Sequence, residues 1–209
     1  MPVNARTEMV IYADDIILWD HSMKPECACR RLQVAVDGLA NWCGSRGLRM
    51  CADKCSVLKV CKRTRGYTNF VPRLLLSGSA IAAVDRMTYL GVLFKPSGKF
   101  DDHIARTKMR AMQRLGALRA FRLSRGAWFR VFNAMVLPVL TYGVHAWYLY
   151  EDRDKHVDVL KKVRRRAIRL AYGLGFRTEL SDAQESSLKG LSEVLEKIIS
   201  GWQVIFESF

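Results

Sequence analysis

In the stretch Ile11–Asp20, IYADDIILWD, the adjacent carboxylates of Asp14 and Asp15 stand between two apolar runs. Met9, Val10, Ile11 and Tyr12 lie on one side, and Ile16, Ile17, Leu18 and Trp19 on the other. Apolar runs of this length, rich in β-branched and aromatic residues, predict two antiparallel strands joined by a short turn. Aspartate is a common turn residue, so a plain surface hairpin is one reading of the pair. A metal site is the other, because two carboxylates pressed together repel unless a cation lies between them. Metal-assisted phosphoryl transfer needs carboxylates that project from a rigid support, and the tip of a hairpin is such a support.

Beyond this hairpin, charge is the most informative feature. The chain has 209 residues, half of them hydrophobic, and a formal net charge of +14. That length fits one large domain or two small ones, with enough apolar residues to bury a core. The charge is unevenly placed. Residues 104–177 carry 17 Lys and Arg against 4 Asp and Glu, whereas residues 178–209 carry 2 against 6. A concentrated basic region of this kind calls for a polyanion, nucleic acid above all, with an acidic membrane surface as the rival.

Residues 131–150, VFNAMVLPVLTYGVHAWYLY, contain no Asp, Glu, Lys or Arg, so a membrane span is one reading of them. Asn133, Pro138, Thr141 and His145 suit lipid badly, and a buried helix pair is the expectation; no membrane partner is expected. MPVNARTE at the start has no apolar core and does not read as a secretory signal. The six cysteines all fall between positions 27 and 61, which in this setting predicts reduced thiols and an intracellular protein. Their spacing lacks the paired CxxC or HxxxH pattern of a zinc site.

Further along, Pro25–Arg46 predicts a helix with Leu32, Val36, Leu39 and Cys43 on one face and Gly47 as its stop. Cys55–Val60 reads as a strand, Arg63–Asn69 as a basic loop, and RLLLSGSAI and MTYLGVLF as strands about a Ser77-Gly78 turn. From residue 100 the pattern is helical. One helix opens with Asp101 or Asp102 as N-cap, buries Ile104, Ala111, Leu115 and Leu118, and files Arg106, Arg110 and Arg114 down the opposite side. A second starts at Ser124 and stops near Pro138. A third, Asp154–Tyr172, sets Val157, Leu160, Ala167, Ile168 and Ala171 against Lys155, Lys162, Arg165, Arg166 and Arg169, and ends at Gly173 and Gly175. One or two helices are expected in the acidic tail from Leu180. The expected fold is therefore α+β, with a small mixed unit over residues 1–98, a basic helical region over 99–177 and an acidic helical tail over 178–209.

These motifs, taken in order, resemble a known enzyme family. YADD between apolar strands is similar to the catalytic box of reverse transcriptases, and LANWCGSRGLRMCADKCSVL (Leu39–Leu58), YLGVLF (Tyr89–Phe94) and FDDHIARTKMRAMQRLGAL (Phe100–Leu118) resemble segments that follow it in the non-LTR, LINE-like class. LPVLTYGVHAW (Leu137–Trp147) resembles that class's Pro…Tyr-Gly…Trp signature. The resemblance runs from about residue 8 to about residue 200. It implies the later part of a polymerase palm followed by a thumb, and an RNA-directed DNA polymerase that uses two Mg²⁺ or Mn²⁺ ions. An RNA template, a DNA primer or target and a deoxynucleoside triphosphate would be its partners, and the nucleus its place of work. Carried over by residue, it makes Asp14 and Asp15 catalytic metal ligands and Lys54 a general acid for departing pyrophosphate. Tyr12, Ala13, Leu90 and Gly91 would lie near the primer end or the nucleotide. Without the resemblance, Lys54 reads as a solvated strand-edge lysine.

The family also places a further catalytic aspartate, a nucleotide-gripping segment and the fingers ahead of YADD, where this sequence has eleven residues before Tyr12. The expectation is a two-ion site that lacks a ligand, so that this chain acting alone does not polymerise. The alternative is a catalytically silent nucleic-acid-binding remnant that uses Arg106, Arg110, Arg114, Lys155, Lys162, Arg165, Arg166 and Arg169. A remnant that binds nothing specific is the third class. A charge run such as Arg164–Arg166 is often only a solvated helix face, and Trp128 and Phe129 read as core before they read as stacking platforms.

Overall fold

A computed structural model describes residues 7–61, 70–148, 152–188 and 190–206; the basic Arg63–Asn69 loop lies outside the described residues. The chain is mixed α+β, with short strands first and a mostly helical region after. The described residues up to Thr88, together with Phe94–Gly98, form one compact unit, and Tyr89–Leu93 with the described residues from Lys99 form a second.

In the first unit, β1 (Thr7–Tyr12) pairs antiparallel with β2 (Asp15–Asp20), with Thr7 opposite Asp20 and Tyr12 opposite Asp15. The register leaves a two-residue loop, Ala13-Asp14. Helix α1 (Pro25–Gly44) starts on proline and buries Ala35, Val36, Leu39 and Cys43; Leu32 is half-buried. Past its end, Gly47 takes φ +72°, its N–H bonds the Gly44 carbonyl, and Leu48 N–H bonds the Cys43 carbonyl. This is a glycine stop of the Schellman type, as the sequence predicted.

The strand expected over Cys55–Val60 is shorter. Only β3 (Ser56–Val57) pairs, and it runs parallel to β6 (Ala82–Ala83). Strand β4 (Leu75–Leu76) turns through Ser77 (φ +50°) and Gly78 (φ +84°) into β5 (Ser79–Ala80), the dihedral signs of a I′ hairpin. Val36, Leu74, Leu76 and Ile81 form the core of this unit, with Leu18, Leu32 and Val57 packed around them. The side-chain amide of Gln33 serves the edge of β4, donating to Leu75 O and accepting from Leu75 N–H, both at 2.8 Å. Strands β7 (Met87–Tyr89) and β8 (Val92–Phe94) form the last pair, so the described strands make four separate two-stranded ladders.

In the second unit, α2 (Asp101–Leu118) buries Ile104, Ala111, Leu115 and Leu118 as expected. Its N-cap is Phe100, however, and neither Asp101 nor Asp102 caps; both lie in the first turn. The Asp101 carboxylate is engaged by Lys155 Nζ at 2.8 Å instead. Ser124 does cap α3 (Arg125–Met135), accepting from Ala127 N–H. The uncharged 131–150 stretch then breaks into α4 (Leu137–Thr141), with proline in its first turn, and α5 (Val144–Trp147), which follows a left-handed Gly143. No helix of the described residues is long and apolar enough to cross a membrane.

Helix α6 (Arg153–Ala171) packs on α2 and ends in a full Schellman motif, with Gly173 at φ +68°, Gly173 N–H to Leu170 O and Leu174 N–H to Arg169 O. Its buried face holds Val157, Leu160, Val163, Ala167 and Ile168; Ala171 is half-buried, and His156 is on the buried side as well. Helices α7 (Asp182–Glu185) and α8 (Leu191–Phe206) supply the acidic tail, and both pack against α6.

Candidate functional site

The hairpin places Asp14 in the turn and Asp15 as the first residue of β2. Both are exposed, and Tyr12 beside them is 61% exposed. Ala13 carries φ +53°, and the turn has the sign pattern of a II′ turn, in which glycine is usual at that position. An alanine held left-handed costs about 1 kcal/mol or more, so the tip next to Asp14 is strained. Apolar residues of the two strands also stay accessible. Val10 is 44% exposed, Ile11 51% and Trp19 38%, so this hairpin is not a sheet edge packed onto its own core.

At the other end, the hairpin is fixed to α1. Asp20 accepts from Thr7 Oγ1 at 2.9 Å and Arg31 Nε at 2.8 Å, and also from Arg31 Nη2, which donates in addition to His21 O at 3.2 Å. The Arg31 hydrogen bond, aided by that from Thr7, holds the Asp20 carboxyl below its ordinary range against the opposing effect of burial. A lowered carboxyl contributes stability that is whole above about pH 4, the unfolded value, and is lost as pH falls through the folded one. Asp20→Asn is expected to cost the first unit about 1.5–3 kcal/mol at pH 7, the range for hydrogen bonds to a charged group. It should also remove the corresponding acid dependence. Urea midpoints for both proteins from pH 7 down to pH 3 check this. Nothing local in the sequence marks Asp20; only its pairing across β1 and its reach to α1 reveal its part in orienting the hairpin.

Lys54 is exposed and sits at the end of a 3₁₀ turn, Ala52–Lys54, rather than on a strand. Leu90 (φ +43°) and Gly91 (φ +77°) form the two-residue turn between β7 and β8. Tyr142 closes over that turn: its hydroxyl donates to Leu90 O at 2.7 Å, and a Cβ on Gly91 would lie 2.7 Å from its ring. Gly143 is equally confined, with Val92 Cγ2 2.6 Å from where its Cβ would be. Leu93 N–H bonds the buried His103 Nδ1 at 3.3 Å, and burial pushes the His103 imidazole below its usual range, which keeps it neutral. Trp147 Nε1 donates back to Tyr142 O at 3.3 Å. The Pro…Tyr-Gly…Trp stretch is therefore a packing hub for the Leu90-Gly91 turn.

The basic file divides by what each residue touches. Arg114 Nη1 bonds Met135 O at 2.8 Å, Arg165 Nε pairs with Glu185 at 3.2 Å, and Arg169 Nε bonds Thr178 O at 2.7 Å. The Arg166 guanidinium lies 5.2 Å from the Phe176 ring centroid, and Lys155 pairs with Asp101. Arg164, half-buried, donates to the carbonyls of Glu185 and Leu188. Arg164, Arg165, Arg166 and Arg169 thus fasten the 176–188 segment to α6 as well as carrying charge, whereas Arg114 ties α2 to the end of α3 and Lys155 ties α6 to α2. Arg106 is half-buried on α2, whereas Arg110 on α2 and Lys162 on α6 are exposed. Trp128 is core, as expected, its Nε1 donating to Ala167 O at 3.1 Å.

A hard divalent ion needs oxygen ligands, and Asp14 and Asp15 offer carboxylates open to solvent. Among the described residues they gather no third His, Cys, Asp or Glu; the group of three that could hold an ion is Asp101, Asp152 and His156. The pair thus fits part of the ligand set of one ion, and not the full set of a two-ion clamp.

The chain matches no protein-family model and no solved structure. It is distantly homologous to an RNA-directed DNA polymerase. The relative is the RNA-directed DNA polymerase from mobile element jockey of Drosophila melanogaster, 26% identical over 168 residues. The match covers 78% of this chain and 18% of that protein, so the chain spans under a fifth of its relative's length.

Proposed function

We propose that the chain is the YADD-bearing part of the palm, with the thumb that follows, of a non-LTR retrotransposon RNA-directed DNA polymerase. One observation carries this reading: two exposed aspartates at a strained two-residue hairpin turn, in a chain homologous to such a polymerase. Asp14 and Asp15 would hold a Mg²⁺ or Mn²⁺ ion, which when bound would stabilise charge on the reacting phosphate oxygens. Ala13 sets the turn that presents Asp14, Tyr12 offers an exposed ring beside it, and Asp20 with Arg31 orients the hairpin. The accessible Val10, Ile11 and Trp19 fit a hairpin that packs against further polypeptide in the working enzyme. Lys54 is the general acid, and Leu90 and Gly91 shape the primer side. The basic helices hold the template–primer backbone.

Manganese-induced broadening of amide resonances tests the site. Residues Tyr12–Ile16 should broaden in the wild-type chain and not in Asp14→Asn/Asp15→Asn. Residues 1–209 alone should bind a primed RNA template and fail to extend it. Broadening that ignores the double substitution would remove the metal assignment. Incorporation of nucleotides that vanishes in Asp14→Asn would overturn the two-ligand reading of this chain.

A further inference from the structure

Away from the hairpin, a second group of ligating side chains meets where the N-termini of α2 and α6 come together. Asp101 is the first residue of α2; Asp152 immediately precedes α6, and His156 follows it by four positions, on the same side of the helix. One ligand atom from each residue lies within 4.8 Å of the other two. His156 is 2% exposed, and neither ring nitrogen has a hydrogen-bond partner; its Nε2 stands 3.5 Å from Asp101 Oδ1. A buried imidazole with both nitrogens unsatisfied is uncommon in a folded protein. Here it is directed at two carboxylates and borders a cleft of about 450 Å³ also lined by Lys108, Met109, Met112 and Lys155.

We infer that Asp101, Asp152 and His156 form a binding site for a borderline divalent transition-metal ion, such as Zn²⁺ or Co²⁺, which ties α2 to α6. Two ligands at about 2.0–2.1 Å from a tetrahedral ion lie about 3.3 Å apart, close to the 3.5 Å between Asp101 and His156. Asp152, in the turn before α6, needs only a small carboxylate movement to complete the set. Imidazole among the donors selects against Mg²⁺ and Ca²⁺, which sets this site apart from the hairpin carboxylates. The fourth position opens on the cleft and takes water. Helix N-termini by themselves favour Asp101 and Asp152, and two lysines contribute as well, Lys155 on Asp101 and Lys99 3.6 Å from Asp152. Those ammonium groups are exposed, and the ion displaces them. Neither the helices nor the lysines satisfies His156. This site stands whether or not the chain comes from a polymerase.

Cobalt titration of the full chain, followed by visible absorption and by the melting temperature, is the test. The band that develops should lack thiolate charge transfer, and binding should raise the melting temperature. Asp152→Asn, at a half-buried position that leaves the core intact, should lower the affinity at least about tenfold, a loss seen even for outer partners of metal sites. His156→Gln should do the same where it folds, and Lys155→Gln should tighten binding by removing a competing cation. Cobalt affinity unchanged in both Asp152→Asn and Asp101→Asn, or an affected band with thiolate character, would overturn the site.

Discussion

Trp147→Ala is expected to destabilise the helical unit by about 3–5 kcal/mol, the cost of emptying a fully buried tryptophan position. Trp147 has no exposed surface, and its ring meets Tyr148 (6.1 Å between centroids) and His156 (6.3 Å) edge-on. Its indole N–H also satisfies the Tyr142 carbonyl, which the smaller residue would leave unpaired. Set against the 5–15 kcal/mol that typically holds a domain together, about a fifth or more of the unit's stability would go. Urea unfolding followed by circular dichroism measures it. A loss below about 1 kcal/mol, less than the roughly 2–5 kcal/mol of ordinary truncations of large core residues to alanine, would mean that the Tyr142–Trp147 hub is not packed as described.

Gly143→Ala is the second large effect, about 2–5 kcal/mol, and it has two sources. The residue holds φ +65°, where alanine costs about 1–2 kcal/mol. The new methyl would also stand 2.6 Å from Val92 Cγ2, a stiff β-branched group, and overpacking of that kind adds about 1–3 kcal/mol. The two sources separate in a double-mutant cycle. Val92→Ala in the Gly143→Ala background should relieve the clash and leave the backbone cost, so the pair should be less destabilised than the sum of the singles. Strict additivity would show that the methyl finds room elsewhere.

Legibility in the sequence followed the physical origin of each feature. Local signals carried well: the apolar–DD–apolar pattern located the hairpin, Gly47 and Gly173 marked helix stops, and helical spacing picked out Leu115, Leu118, Leu160 and Ile168 as core. Features that depend on distant partners did not carry. Asp101 looked like an N-cap because nothing in α2 foretells Lys155 and His156, more than fifty positions away, which draw its carboxylate. The basic file of α6 looked like one surface. The acidic segment after it takes up Arg164, Arg165 and Arg169 through backbone carbonyls and Glu185, contacts that leave no periodic trace in the sequence. His156 was hidden for the same reason: a histidine on an apolar helix face reads as core, and only its missing partners and two neighbouring carboxylates single it out. Asp14 and Asp15 were legible as residues, and the strain at Ala13 beneath them was not, since alanine gives no hint of a left-handed turn.

The proposed hold of the basic helices on nucleic-acid phosphates is tested most directly by the salt dependence of binding to a primed RNA template. Log K should fall linearly with log salt, by about 0.7 per phosphate contact on single strands and about 0.9 on duplex DNA. Arg110→Glu with Lys162→Glu, both exposed and away from the contacts that dock the acidic segment, should weaken every sequence alike and flatten that slope by one to two contacts, or about 0.7–1.8. Binding that is insensitive to salt, or that keeps its affinity and slope in a folded double variant, would contradict the account and leave the basic face as solvated surface.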